Sequence, residues 1–335
     1  MIKKSTVTVL GAGSWGTALA IQLARNGQQV NLWGHRAEHI EALIAERENK
    51  AYLPGISLSE NIKPLASLEL CLKNTQAVLI AIPSKTFRNL LKSLKPFLDP
   101  GVSVFWASKG FEIETGKLLH ELVCEELPGH HYGVVSGPTF AGEVATGLPT
   151  AITCAGDDQS ATTQFASLLH GNRFRCYTSE DVVGVELGGA LKNILAIAVG
   201  AADGLGFGAN TRAALITRGL SEEMRLGECL GARQETLMGL AGLGDLLLTC
   251  TDDQSRNRRF GLAIGRGKTV DQAEKEVGQT VEGLPAAKAI HRIAHKLKLE
   301  LPIMEQVYHV LYEGKNPLDA VKDLESRPRR PELGD

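Results

Sequence analysis

Apolar positions change rhythm along the chain. In the first half, short β-branched or wholly apolar runs alternate with stretches of helical spacing. The runs "TVTVL" (6–10), "QVNLWG" (29–34), "AVLIAIP" (77–83), "VSVFWASKG" (102–110), "YGVVSGP" (132–138), "PTAITCAG" (149–156) and "RFRCYTSE" (173–180) read as strands. Between them, residues 14–27 place Ala18, Leu19, Leu23 and Ala24 on one face, with Gly27 as the stop. "AEHIEALIAERENKAYLPG", "TFRNLLKSLKPFL" and "ETGKLLHELVCEEL" read as further helices, the first yielding to a turn at Pro54-Gly55. Such alternation predicts an α/β fold built on a doubly wound, mostly parallel sheet.

After about residue 181 the strand signals fade. "VVGVELGGALKNILAIAVGAADGLG" is a long helical pattern, and "NTRAALITRGLSEEMRLGECLG" follows with Asn210 or Thr211 as the expected N-cap. "TVDQAEKEV", "GLPAAKAIHRIAHKL" and "PIMEQVYHVLYEG" continue in the same style. The chain is therefore expected to divide into a doubly wound domain over 1–184, a mostly α-helical domain over 185–325 and a flexible tail over 326–335, the last charged and Pro-containing.

Composition narrows the class. Of 335 residues, 43% are apolar and 22% charged, as in ordinary globular proteins. Lys and Arg total 36 and Asp and Glu 38, a net charge of −2 that argues against a general nucleic-acid or membrane-surface binder. Cys71, Cys124, Cys154, Cys176, Cys229 and Cys250 are scattered, with no C-x-x-C pair and no Cys/His cluster. They read as reduced thiols, with no metal site expected. No signal peptide is expected before the first strand, and no stretch is expected to reach the roughly 18 apolar residues of a membrane span. The cytoplasm is the expected compartment.

The segment "GAGSWGTALA" (11–20) carries the first candidate chemistry. Gly11, Gly13 and Gly16 fall at G-x-G-x-x-G spacing between a strand and an amphipathic helix. That frame suits a dinucleotide: Gly11 for the tight turn, Gly13 for close approach of a pyrophosphate, and Gly16 for helix–strand packing. The helix N-terminus adds free N–H groups and a positive dipole end. A plain strand–turn–helix with incidental glycines is the competing reading. At the end of the second strand, where an acidic residue would bond a ribose 2′-hydroxyl, stand Gly34, His35 and Arg36. A guanidinium there can grip a 2′-phosphate, so NADPH is expected to be accepted alongside NADH; the alternative is a solvated helix-start arginine.

Several polar residues interrupt apolar stretches. Lys192 lies in "GGALKNILAIAVG", with Gly188, Gly189, Leu195 and Ala196 as its helical neighbours. That bare face would let another molecule approach a partly desolvated amine suited to proton transfer, with Asn193 beside it; a lysine snorkelling to solvent is the alternative. Lys109 ends a predicted central strand, and Gly137, Pro138 and Thr139 follow another, where open α/β sheets bind ligands. In "GLGDLLLTCTDDQSRNRRFG" (242–261), Asp245 precedes an apolar run and Arg256-Asn257-Arg258-Arg259 forms a cationic cluster. A small phosphate fits such a cluster, as would a basic surface turn or a nucleic-acid patch.

Taken together, "GAGSWGTALA", "ASKGFE", "SGPTFAGEVA", "GVELGGALKNILAIAVG", "GLGDLLLTC", "SRNRRFG" and "TVEG", in this order, resemble the NAD(P)-dependent sn-glycerol-3-phosphate dehydrogenases of the bacterial type. The resemblance runs to about residue 315. It implies a Rossmann-like domain followed by a helical one, a cleft site between them, and a homodimer. It implies reversible hydride transfer between NADPH or NADH and dihydroxyacetone phosphate, giving sn-glycerol 3-phosphate for phospholipid synthesis, with Lys192 as general acid/base. Lys109 would touch substrate and cofactor. Gly137, Thr139, Asn193, Asp245, Thr249, Ser255, Arg256 and Asn257 would line the substrate. Gly11, Gly13, Ser14, Trp15, Gly16, His35, Arg36, Ala141, Arg256, Thr280 and Glu282 would meet the cofactor. At Thr280 the family often has valine, so a backbone contact is the expectation there.

Two other functions compete. One is a related dehydrogenase for another hydroxy acid or a sugar nucleotide, the latter needing a nucleophile such as Cys250. The other is a non-catalytic dinucleotide sensor, which would leave Lys192 unexplained.

Overall fold

The computed structural model describes residues 6–328 and 331. Ten strands appear among them: β1 Thr6–Leu10, β2 Gln29–Trp33, β3 Glu48–Asn49, β4 Leu53–Ser57, β5 Ile62–Leu65, β6 Ala77–Ile80, β7 Ser103–Trp106, β8 Tyr132–Ser136, β9 Thr150–Gly156 and β10 Phe174–Ser179. Eight of these form one sheet in the order β10-β9-β8-β7-β6-β1-β2-β5. Pairing is parallel except between β8 and β9. The central strands bury both faces. Val7 and Val9 face one apolar layer with Leu19, Leu23 and Phe165, whereas Leu10, Val78, Ile80 and Trp106 face the other with Phe87 and Leu119. This explains the unbroken apolar runs.

The order reverses at β1, whose neighbours are β2 on one side and β6 on the other. Ligands of open α/β sheets lie beyond the carboxyl ends of strands at such a reversal. The segments that leave those ends here are Gly11–Gly16, Ala81–Pro83, Ala107–Gly110 and Gly137–Thr139.

Three local expectations fail for identifiable reasons. The helix from Ala37 stops at Glu46, where Arg47 adopts a left-handed conformation (φ 52°), and "ENKAYLPGIS" becomes the antiparallel pair β3–β4 instead of helix and turn. Strand β5 escaped notice because Pro64 interrupts it; a proline is tolerated there because β5 is the sheet edge. The helix after Gly208 begins at Ala209, ahead of Asn210 and Thr211, with Gly208 as its N-cap.

Beyond Ser179 the described residues are helical. The long helix Val182–Gly204 starts at Asp181, whose carboxylate accepts from Gly184 N at 2.8 Å, and is the hub of this half. Helix Arg256–Gly265 crosses it closely, because a Cβ at Gly200 would lie 2.2 Å from the Arg258 carbonyl oxygen and one at Gly261 2.2 Å from that of Ile197. The hub helix is long and apolar enough to cross a membrane by composition, contrary to the sequence expectation. It is the core of the helical half: 89% of its most apolar window is buried in the protein. Of the expected tail, Arg327 pairs with Glu300 at 2.8 Å; residues 329, 330 and 332–335 lie outside the described residues.

Candidate active site

The glycine loop fits a pyrophosphate. Gly11 holds φ +124°, and a Cβ on it would meet the Ala81 carbonyl oxygen at 2.3 Å; one on Gly16 would meet the Gly11 carbonyl oxygen at 1.9 Å. Both positions thus require glycine for strand–helix contact. At Gly13, by contrast, a Cβ would find no atom within 4 Å, so the approach to the backbone is open. Gly13 is the N-cap of helix Ser14–Arg25 and supplies no side-chain acceptor, and the first turn carries no acidic residue. The first-turn N–H groups are thereby left for an anion.

Residues that sequence reasoning missed shape this end of the cleft. The buried amide of Asn49 donates to the Ala12 carbonyl oxygen at 3.0 Å and to Thr17 Oγ1 at 2.8 Å, fastening the loop from the β3–β4 pair. Tyr52 lies between predicted cofactor residues: its carbonyl accepts from Ser14 Oγ at 2.7 Å and its hydroxyl from Arg36, whose guanidinium carbon sits 5.8 Å from the ring centroid. His35 and Arg36 are exposed at the mouth of β2. Trp15 is partly buried, with its indole N–H lacking a hydrogen-bond partner among the described residues. Asn49 and Tyr52 had no periodicity or motif to mark them; only the hairpin brings them to the loop.

The second cluster joins the two halves of the chain. Lys192, on the hub helix, and Lys109, after β7, donate to the two carboxylate oxygens of Asp245, Lys109 at 2.5 Å. Asp245 is fully buried and Lys192 only 7% exposed. Burial draws the Lys192 ammonium down from 10.5 to about 8; Asp245 opposes this and Lys109 reinforces it. The predicted bare face beside Lys192 is in fact occupied by protein. A Cβ on Gly188 would strike the Ala241 carbonyl oxygen at 2.3 Å, and one on Gly189 would strike Ser136 Oγ at 2.8 Å and lie in ordinary contact with Lys109 Cδ at 3.5 Å. The glycines therefore admit Ser136 and the π-helical turn Leu240–Gly244 that delivers Asp245.

A chain of amides runs from this cluster. Asn257 Nδ2 donates to Asn193 Oδ1 at 2.8 Å, Asn193 Nδ2 donates to Glu282 at 3.3 Å, and Gly283 N donates to Asn257 Oδ1 at 2.9 Å. Substrate-side and cofactor-side expectations are thus linked through side chains. The Thr249 hydroxyl donates to the Asp245 carbonyl at 2.6 Å. Thr139 Oγ1 donates to the Gly137 carbonyl at 3.1 Å, and Gly137 holds φ +153°. Ala141 opens helix Ala141–Thr146, and Thr280 is an exposed residue ahead of Glu282.

The arginine cluster is divided in use. Arg258 is bound to Asp203 and, at 3.0 Å, to Asp253, and Arg259 is exposed. Arg256 is half-buried and has no ion pair or hydrogen-bond partner among the described residues. Ser255 caps the same helix, accepting from Arg258 N at 3.2 Å. Of the three arginines, Arg258 alone is taken up by carboxylates among the described residues.

One more buried group faces the cluster. Glu223 is fully buried, and neither of its oxygens has a hydrogen-bond partner among the described residues. Burial pushes its carboxyl well above the ordinary range, and Asp245 adds to the rise while Lys192 opposes it. Cys250 is buried with its thiol driven well above its ordinary value by burial, the reverse of an activated nucleophile.

Known proteins resemble this chain along nearly its whole length. The family described as NAD-dependent glycerol-3-phosphate dehydrogenase matches through its N-terminal part over residues 6–162 and its C-terminal part over residues 181–322. Proteins named glycerol-3-phosphate dehydrogenase [NAD(P)+] from Psychromonas ingrahamii and Nitrosococcus oceani are 52% and 54% identical, covering 99% and 97% of this chain and 100% and 94% of their own. The crystal structure of glycerol-3-phosphate dehydrogenase from Coxiella burnetii superposes with a TM-score of 0.94 at 46% identity, covering 97% of this chain and 99% of that one. A ketopantoate reductase from Ralstonia eutropha, at 17% identity and a TM-score of 0.60, covers 94% of this chain and 99% of its own and shares the fold alone. A nucleotide-ready glycine loop, a cleft lysine on a buried carboxylate and this likeness along nearly the whole chain place the protein in the NAD-dependent glycerol-3-phosphate dehydrogenase family.

Proposed function

We propose that this chain catalyses the reversible reduction of dihydroxyacetone phosphate to sn-glycerol 3-phosphate with NADPH or NADH, Lys192 moving the proton. The observation that carries the reading is the Lys192 amine, held in the interior on a carboxylate shared with Lys109 and titrating near neutrality. A general acid works best when its pKa lies near the working pH. The bound nicotinamide dinucleotide supplies the hydride for reduction and accepts it for oxidation. Gly11, Gly13, Ser14, Trp15 and Gly16 hold its pyrophosphate side, with His35 and Arg36 at the adenosine ribose and Ala141, Thr280 and Glu282 along its length.

Ser255, Arg256 and Asn257 bind the substrate phosphate, while Gly137, Thr139 and Asn193 fix its three-carbon frame. Lys109 and Arg256 touch both ligands, and Thr249 supports Asp245. In reduction the Lys192 ammonium delivers its proton to the ketone oxygen as the carbon gains hydride, so no free alkoxide forms. In oxidation the neutral amine removes the proton from the C2 hydroxyl. The buried, unactivated Cys250 offers no nucleophile for a sugar-nucleotide oxidation, and a mere sensor has no use for a desolvated amine.

The division we assign is a dinucleotide domain over 1–184, a helical substrate domain over 185–325 and a tail over 326–335. It is supported by the last strand ending at Ser179 and the hub helix starting at Val182. We also assign a cytoplasmic homodimer that feeds glycerophospholipid synthesis. An apolar groove between the hub helix and helices Pro302–Tyr312 and Pro317–Glu325 is the feature that favours self-association.

A steady-state assay tests the reaction. Oxidation of NADPH or NADH is expected with dihydroxyacetone phosphate and not with a panel of ketoacids. The reductive rate should fall about tenfold per pH unit above about pH 8, and the oxidative rate should climb through the same range to a plateau. Equal turnover of ketoacids, or a flat profile from pH 6 to 10, would refute the assignment. Replacing Arg36 with aspartate is expected to raise KM for NADPH by about 10²-fold while leaving KM for NADH within a few-fold, as kinetics with each cofactor will show.

A further inference from the structure

No metal site was expected from the sequence, yet the helical half gathers imidazoles on two neighbouring helices. His291 and His295 are one turn apart on helix Gly283–Leu297, and Glu305 lies on the neighbouring helix Pro302–Tyr312. One ligand atom from each of the three falls within 4.8 Å of the others. We propose that His291, His295 and Glu305, closed by His309, form a surface-accessible site for a divalent transition ion of the zinc class, joining these two helices.

Three observations point to a ligand and not to ordinary ion pairing. First, a single oxygen, Glu305 Oε1, is approached by three rings: His291 Nδ1 at 2.9 Å, His295 Nε2 at 3.4 Å and His309 Nε2 at 3.6 Å. Charging all three imidazoles to pair with one carboxylate would set cations against each other, whereas one divalent ion uses neutral rings and the carboxylate together. Second, His291 Nδ1 is buried and makes no hydrogen bond despite that 2.9 Å approach. Its ring is fixed by stacking on Tyr308, with centroids 3.6 Å apart and planes inclined by 4°. Buried unpaired nitrogens are rare and call for a partner. Third, His309 Nδ1 stands 2.6 Å from Glu313 Oε2. A carboxylate there accepts the Nδ1 proton, which leaves the Nε2 lone pair directed at the cluster, as in carboxylate–histidine–metal arrangements.

The chemistry selects the ion. Imidazole nitrogens with one carboxylate suit Zn²⁺ or Ni²⁺ over Mg²⁺ or Ca²⁺, which need oxygen cages. Zinc bonds of about 2.0–2.1 Å set tetrahedral donors about 3.3 Å apart, close to the 2.9, 3.4 and 3.6 Å at which the three ring nitrogens stand from Glu305 Oε1. The exposed His295 side chain, 68% accessible, has the freedom to move in. The i, i+4 spacing in "HRIAH" was the signal available in the sequence; the third ligand comes from the next helix and is visible only in three dimensions.

The test is equilibrium dialysis of untagged, chelator-treated full-length protein against Zn²⁺ at pH 7.5, with the bound metal counted and thermal melts recorded in parallel. One Zn²⁺ per chain and a rise in melting temperature are expected. Binding should weaken about 10–100-fold in Glu313→Gln and by more than that in His291→Gln/His295→Gln and in Glu305→Gln. The exposed Glu313→Gln change should leave the zinc-free melt unchanged, and the zinc-free melt of every variant is compared with the parent, which separates lost ligation from lost folding. Less than one Zn²⁺ per chain at millimolar metal, or equal binding by the double variant, overturns the site.

Discussion

Lys192→Ala is expected to lower turnover in both directions by about 10²–10⁴-fold, the usual contribution of a positioned proton donor. Dinucleotide affinity should stay within a few-fold of the parent, because the glycine loop and the Arg36–Tyr52 pair lie on other elements. Folding should also survive. Asp245 keeps Lys109 as a partner in the variant, so no buried carboxylate is stranded. Stopped-flow fluorescence of bound NADPH together with steady-state rates separates the two effects. A variant that turns over within tenfold of the parent would remove Lys192 from the proton path.

The second large effect concerns Asp245→Asn. Two lysines would lose the one carboxylate that serves both. Breaking a buried ion pair from one side costs about 3–5 kcal/mol, and here the loss should depend on pH. At pH 6 Lys192 is charged and the full penalty applies. At pH 9 the amine is neutral, and the penalty shrinks. Since Asp245 holds the Lys192 pKa up, its removal lets that value drop below about 8. The descending limb of the reductive profile should therefore move to lower pH, with each unit of movement costing about tenfold in rate at alkaline pH. Thermal melts and rate profiles over pH 6–9 measure both. An unmoved limb would mean that Asp245 does not set the titration of Lys192.

Much of this was legible in the sequence, for definite reasons. The Rossmann-like order could be read because its central strands bury both faces and its glycines obey steric rules that leave a spacing behind. Lys192 stood out because an isolated cation in an apolar helix must have a reason to be there. What escaped was set by contacts between segments distant in the chain. Asp245 could be suspected near a lysine, but only the fold shows it divided between two. No motif marked Glu222 or Glu223, and only the fold separates them: Glu222 accepts backbone N–H bonds from Ile303 and Met304 at 2.7 and 3.1 Å while Glu223 accepts no hydrogen bond among the described residues. The three arginines of the 256–259 run looked equally free to hold an anion, although Asp203 and Asp253 claim Arg258. The edge strand and the β3–β4 pair were obscured by Pro64 and by a helix-like pattern that Arg47 ends.

The tether from Asn49 to the loop at Ala12 and Thr17 has a kinetic consequence. A turn rich in glycine ordinarily samples many shapes and must surrender that freedom when a guest arrives. Here an amide from outside the strand–loop–helix unit holds the receptive shape in advance, so the entropic toll of ordering is met during folding. Coenzyme capture should then proceed as docking onto a rigid cradle, without a slow adaptation step behind the encounter.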